Sequence, residues 1–218
     1  MPPLTLVIAN KTYSSWSLRA WLALKMTGAA FEEIVVPLDQ PTTASDIARH
    51  SPTGRVPVLK DGALTVWDSL AITEYLAERF PAAGLWPVAA DARAHARAVA
   101  AEMHSSFQAL RQNMPMNVRA AKPGRGRTPE VMSDIARIAA LWQDCRTRYG
   151  AAGPFLFGPF TAADCFFAPV VTRFATYGVA LDPVCEAYAA AVSAWPTLIE
   201  WCAGAAAEPW RIAKYELD

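Results

Sequence analysis

The stretch that decides the fold runs from Tyr13 to Gly28, YSSWSLRAWLALKMTG. Ser14, Ser15 and Ser17 crowd the start of a run that reads as an amphipathic helix, Ser15–Thr27, with Gly28 just past its end. A serine at a helix start accepts a hydrogen bond from a free first-turn amide, and glycine suits the residue that closes a helix. Capping explains one hydroxyl. The others raise the alternative that a hydroxyl is aimed at a bound molecule.

Working outward, the apolar run LTLVIAN (Leu4–Asn10) suits a buried strand before this helix, and Phe31–Val36 a second strand after it, stopped by Pro37. Thr43–His50 has helical tendency. In VPVLKDGALTVW, Val58–Leu59 and Leu64–Trp67 flank Asp61-Gly62, which signals a hairpin. A helix then begins at about Asp68 and ends before Pro81. The order β-α-β-α-β-β-α accounts for the first half.

Beyond it, strand signals nearly vanish. Ala92–Met114 is alanine-rich and helical up to Pro115. Lys122–Glu130 (KPGRGRTPE) reads as a mobile, solvated loop whose Thr128-Pro129 caps the next helix. Val131, Ile135, Ile138, Trp142, Cys145 and Tyr149 recur at three and four residues and form one helix face. Thr161 and Asp164 have capping-box spacing, with Phe160 and Cys165 at the staple positions. Short helices after Pro183 and Pro196 complete an all-α half. The expected domains are 1–82 and 90–218.

Lys+Arg and Asp+Glu both number 20, so the formal charge is zero. That balance argues against nucleic acid or an anionic membrane as partner. Charged residues are 18% of the chain against 53% hydrophobic, a composition for burial and not for disorder. No signal peptide or membrane-spanning run is expected. Cys145, Cys165, Cys185 and Cys202 lie far apart and read as reduced core residues of a cytoplasmic protein. With His50, His95 and His104 they make no metal-ligand spacing, so no metal is expected.

Three short stretches carry the candidate site. Val56-Pro57 stands just ahead of a strand, and a cis bond there would expose the preceding backbone to pair with an extended, peptide-like ligand. At Asp68-Ser69 a helix-opening hydroxyl with its free amides suits a carboxylate, and the neighbouring acid suits an ammonium. Together they describe an amino-acid end such as a γ-glutamyl group. The serines at 14–17 are the third. All three fall at strand–helix junctions or strand starts, which gather at one edge of a parallel-type sheet.

SSWSLRAWLALKMTG, RVPVLKDG, WDSLAITEYLAERFP and FTAADCFFAPV, in this order and spacing, resemble a glutathione S-transferase over essentially the whole length. The resemblance implies a thioredoxin-like N-terminal α/β domain and an all-α C-terminal domain. The opening resembles the serine-type, zeta-like group, whose Ser-Ser-Cys-Ser signature falls on Ser14, Ser15, Trp16 and Ser17. Trp16 replaces the cysteine, which counts against cysteine-based thiol exchange. The group's paired arginines are reduced to Arg19, with Trp21 at the second position. The resemblance puts the catalytic serine on Ser14, with Ser15 as the other candidate. It also implies glutathione as co-substrate, held by the Val56 backbone before a cis Pro57, by Arg55 at the glycyl end, and by Asp68 and Ser69 at the γ-glutamyl end. A homodimer is implied as well.

The expected chemistry follows from the thiol. At a pKa of about 8.5 only a few per cent is thiolate at neutral pH. A serine hydroxyl donating to sulfur, with the helix terminus behind it, favours the anion. The expected function is conjugation of glutathione to a small hydrophobic or anionic electrophile. Alternatives are a cis-trans isomerase of the maleylacetoacetate type and a non-catalytic glutathione-binding module. Met114, Met116, Arg111 and Arg119 are candidates for the electrophile wall.

Overall fold

The computed structural model describes residues 4–216. The outermost ends of both expected domains, and the very start on which the signal-peptide reading partly rests, lie outside the described residues. The first half builds a four-stranded sheet from β1 (Leu4–Ala9), β2 (Phe31–Val36), β3 (Val58–Asp61) and β4 (Leu64–Trp67) in the order β2-β1-β3-β4. β1 and β2 are parallel, joined by α1 (Ser15–Met26), while β1–β3 and β3–β4 are antiparallel. The β3–β4 pair closes as Asp61 opposite Leu64, so the turn is Gly62-Ala63, one residue later than Asp61-Gly62. Gly62 has a φ of +59°, which a residue without Cβ adopts at no steric cost.

Alternation along β1 sets the two layers. Leu6 and Ile8 face the main core, whereas Val7 packs with Val36, Ile47 and Val58 on the other side. Successive side chains of a strand point to opposite faces, so one strand feeds both. α2 (Thr43–Ala48) supplies Ile47 to the minor face. α3 (Ser69–Arg79) supplies Ile72 and Leu76 to the major one.

The second half is helical: α4 (Ala90–Ser105), α5 (Gln108–Asn113), α6 (Pro129–Tyr149), α7 (Ala162–Tyr177), α8 (Pro183–Ser193) and α9 (Pro196–Ala207). The expected helix of residues 92–114 breaks at Ser106-Phe107, well before Pro115, with Phe107 at a φ of +64°. Phe107 is buried, and burying its ring offsets the cost of a left-handed backbone. Thr128 caps α6 by accepting from the Val131 amide. The loop before it is largely exposed, as expected, yet anchored to the helical half: Lys122 and Gly124 donate backbone bonds to Thr176 and Tyr177 at the end of α7.

One apolar core runs through both halves, from Leu6 and Leu22 to Trp142, Phe166 and Trp201. α1 is therefore not amphipathic in the ordinary sense: Ser15 and every residue from Ser17 to Leu24 are buried, and Trp16 is the exposed one among them. α7 is buried almost as fully. Cys145, Cys165 and Cys185 are buried free thiols, and Cys202 is free but only half-buried.

The capping box at the start of α7 is fully formed. Asp164 is completely buried and accepts from the Thr161 amide at 2.8 Å, the Thr161 hydroxyl at 2.9 Å and the Leu156 amide at 3.1 Å. Burial pushes its carboxyl up to about 6, against the pull of those donors. Replacing Asp164 with alanine strands buried donors and is expected to cost about 2–4 kcal/mol. The check is the urea midpoint; a loss below about 1 kcal/mol would deny the box this role.

Candidate functional site

The carboxyl end of β1 hands the chain to α1 through Asn10–Ser14, and the site forms there. Ser14 is the N-cap of α1: its Oγ accepts from the Ser17 amide at 3.3 Å and donates to Ser17 Oγ at 2.7 Å. Ser17 Oγ in turn accepts from the Ala9 amide at 3.0 Å, which ties the hydroxyl pair to the strand. Ser14 opens onto a cavity of about 890 Å³ together with Trp16, Val56, Asp68, Ser69 and His104. Arg55, Pro57 and Trp67 also line it. Six of the seven candidate residues thus converge.

Ser15 stands apart. It does not line this cavity; its Oγ accepts from Arg173 of α7 at 3.2 Å. Neighbouring helix residues point about 100° apart, so one serine faces the cleft and the next faces the core.

The Val56-Pro57 bond is cis. Among the described residues Val56 takes part in no backbone hydrogen bond outside the regular elements, so its amide and carbonyl remain available at the cavity wall. Asp68, and not Ser69, caps α3: its Oδ1 accepts from the Leu70 and Ala71 amides at 2.8 and 3.3 Å, on a backbone with φ of +73°. Ser69 is buried, and its Oγ has no hydrogen-bond partner.

His104, near the end of α4, is a site residue that sequence reading missed. Its Nε2 lies 3.3 Å from Asp68 Oδ2, and its ring meets Trp16 edge-on at 5.0 Å. Burial pushes the Asp68 carboxyl up, but the bonds from His104 and the two amides outweigh it, so the net displacement is downward from 3.8. Nothing in the spacing of α4 marks His104, because its partner comes from another domain.

Behind Trp16 lies a cluster of arginines. Arg19 is fully buried, 4.6 Å from the Trp16 ring and 5.2 Å from Phe166. Arg111 lies 5.1 Å from Trp16 and donates to the Met103 and Ser106 carbonyls. Arg173 is buried and donates to the Met114 and Pro169 carbonyls as well as to Ser15. Burial, then the charge of its two neighbours, pushes the Arg19 guanidinium well down despite the pull of Asp68. Burial and the nearby Arg111 bring Arg173 to about 9.

The expected electrophile wall is partly overturned. Met114 and Met116 are buried core residues. Arg119 donates to the Glu208 and Trp210 carbonyls and to the Tyr13 hydroxyl, holding the C-terminal segment. Tyr13 itself donates to Glu216 and is turned away from the cavity.

A mixed four-stranded sheet with a cis-proline and two helix-start hydroxyls at one cleft, followed by an all-helical half, defines a two-domain protein whose α/β half carries a cleft at the carboxyl end of its first strand. The sequence pattern described as "Glutathione S-transferase, N-terminal domain" matches residues 13–79, and the corresponding C-terminal-domain pattern matches residues 93–204. The chain belongs to the glutathione S-transferase family. It is 29% identical to a maleylpyruvate isomerase from Ralstonia sp over 188 residues, 79% of this chain and 86% of that protein. It is 30% identical to a stringent starvation protein A homolog from Pasteurella multocida over 72% of this chain and 69% of that protein. A 47% identical match to the dichloromethane dehalogenase of Methylorubrum extorquens spans 58 residues, about a fifth of that protein (20%). A glutathione transferase homolog from Burkholderia, crystallised with bound glutathione, superposes with a TM-score of 0.70 at 26% identity, over 94% of this chain and 100% of that one.

The depressed Asp68 carboxyl makes a pH prediction. A carboxylate whose folded value lies below its unfolded value stabilises the fold above the unfolded value, about 3.9, and loses that contribution as pH falls through the folded one. The stability advantage of wild type over Asp68→Asn is therefore expected to be full above about pH 5 and to shrink steadily toward pH 3. Urea midpoints across that range test it, and a pH-independent difference would remove the basis for the His104 pairing.

Proposed function

We propose that this chain is a glutathione transferase that activates the glutathione thiol with Ser14 and transfers it to a small hydrophobic or anionic electrophile. The observation that carries the reading is the Ser14 hydroxyl at the α1 N-cap, opening onto the same cavity as the Val56 backbone and the unpartnered Ser69 hydroxyl. Four features of the cavity support this reading. Val56 offers its backbone to the cysteinyl segment. Ser69, through its hydroxyl and its own amide, suits the γ-glutamyl carboxylate, and Asp68 suits its ammonium. Arg55, which lines the cavity, suits the glycyl carboxylate by its charge. Asp68 already serves His104, so the ammonium would share that carboxylate.

Ser14 can stabilise a thiolate only if its proton turns away from Ser17. Hydroxyl hydrogens rotate freely, and Ser17 can donate to Ser14 in return while still accepting from Ala9. The reversed pair leaves the Ser14 proton free for sulfur. Lowering the thiol by two units needs about 2.7 kcal/mol. A hydrogen bond to a charged acceptor supplies about 1.5–3 kcal/mol, and the α1 terminus adds about 0.3–1 kcal/mol. The thiolate then attacks the electrophile, forming the S–C bond, and the leaving group departs with its electron pair or, in an addition, the adjacent atom takes a proton.

A glutathione-dependent isomerase is the second reading, supported by similarity over most of the length of a maleylpyruvate isomerase. There the thiolate adds to a cis double bond and leaves again, so glutathione is not consumed. Stoichiometric loss of free thiol separates the two. A cytoplasmic homodimer that takes neither nucleic acid nor membrane as partner completes the proposal; among the described residues no helix is long and apolar enough to cross a membrane.

Ultraviolet difference absorbance of the bound thiolate against pH is the decisive measurement. The bound thiol is expected to ionise well below 8.5, and Ser14→Ala to raise its midpoint by about 1–2 units. An unmoved thiol in the wild-type complex would leave only a glutathione-binding module, and full turnover by Ser14→Ala would remove Ser14 from the mechanism.

A further inference from the structure

The arginine cluster is not needed for any contact so far assigned to glutathione. Arg19, Arg111 and Arg173 come from α1, α5 and α7, and none of them lines the large cavity. Among the described residues none of the three forms an ion pair. The nearest acids act only from a distance: Asp68 is committed to the α3 cap and His104, and Asp134 accepts from the Leu110 amide. Arg173 has carbonyl and hydroxyl acceptors, and Arg111 has two carbonyls. Arg19 has none: its Nε, Nη1 and Nη2 are all buried without a partner, as is Nη1 of Arg111. A buried guanidinium normally meets an acceptor for its donors, because nothing else replaces the water it gave up.

We propose that Arg19 and Arg111, backed by Arg173, form an anion site behind Trp16 that takes a small planar oxyanion, a carboxylate group or an inorganic counterpart such as nitrate. The rings of Trp16 and Phe166 lie against the Arg19 guanidinium at 4.6 and 5.2 Å, so a ligand reaches its donors edge-on. The edge of a guanidinium is a planar fork that matches two coplanar oxygens. Trp16 is 36% exposed, lines the cavity and lies against Arg19 and Arg111, so it forms the partition between the cavity and this site.

Saturation-transfer NMR on the full chain with sodium acetate, in low-salt buffer without glutathione, tests the site. Transfer to the acetate methyl is expected for wild type, reduced at least fivefold in Arg19→Met and at least twofold in Arg19→Lys, which keeps a charge but loses the fork. Nitrate that displaces acetate identifies an inorganic oxyanion as sufficient; nitrate that fails to displace it assigns the site to the carboxylate of an organic acid. Saturating glutathione is expected to leave the signal within twofold. No transfer in wild type, equal transfer in a folded Arg19→Met, or complete displacement by glutathione would each overturn the proposal. Arg111→Gln, expected to weaken transfer at least threefold, serves in place of Arg19→Met where that variant does not fold. Acetate binding measured this way stands whether or not Ser14 activates a thiol.

Discussion

The burial of α1 between the sheet domain and the helical domain is the constraint from which the site follows. The helix packs against β1 and α3 on one side and against α7 and α9 on the other. A helix enclosed in this way cannot spend a face on solvent, so its polar residues must be satisfied inside. Ser17 takes the Ala9 amide, Ser15 takes Arg173, and Ser14 caps the first turn. The crowding of hydroxyls at the opening of the helix is thus mainly the cost of bringing strand, helix start and a second domain to one point. Ser14 is the hydroxyl among them that also reaches the cleft.

Much of this was legible in the chain because the signals are local. The strands, the α6 and α7 caps and the cleft stretches at 14, 55–57 and 68–69 depend on neighbours within a few residues. What was not legible depends on contacts between distant segments. His104 acquires its place from Asp68, and Met114 and Met116 are core because α5 and the following segment turn inward at Phe107. The amphipathic reading of α1 fails for the same reason. A three-to-four periodicity describes a helix with one dry face, and α1 has none that is wet apart from Trp16. At Asp68-Ser69 the helix opens at Ser69 as expected, but the cap is Asp68. Aspartate has the longer reach to two amides, while the serine following it is drawn under the first turn.

Trp16 connects these threads. In the serine-type signature a cysteine stands there, and a thiol has no face against which a guanidinium can lie. The indole lies against both Arg19 and Arg111. Such contacts are worth about 0.5–2 kcal/mol each, whereas taking a guanidinium out of water costs several kcal/mol even after relaxation. Rings alone therefore do not offset the burial of Arg19, whose donors meet no acceptor. Arg173 shows the contrast on the same cluster: it is equally dry, yet three oxygens receive its donors, and one of them is Ser15 in the first turn of α1. The balance of charge behind Trp16 is consequently tied to the same turn that presents Ser14 to the cleft, so an anion that settles among these arginines acts on the helix terminus from which the thiolate would draw its stabilisation.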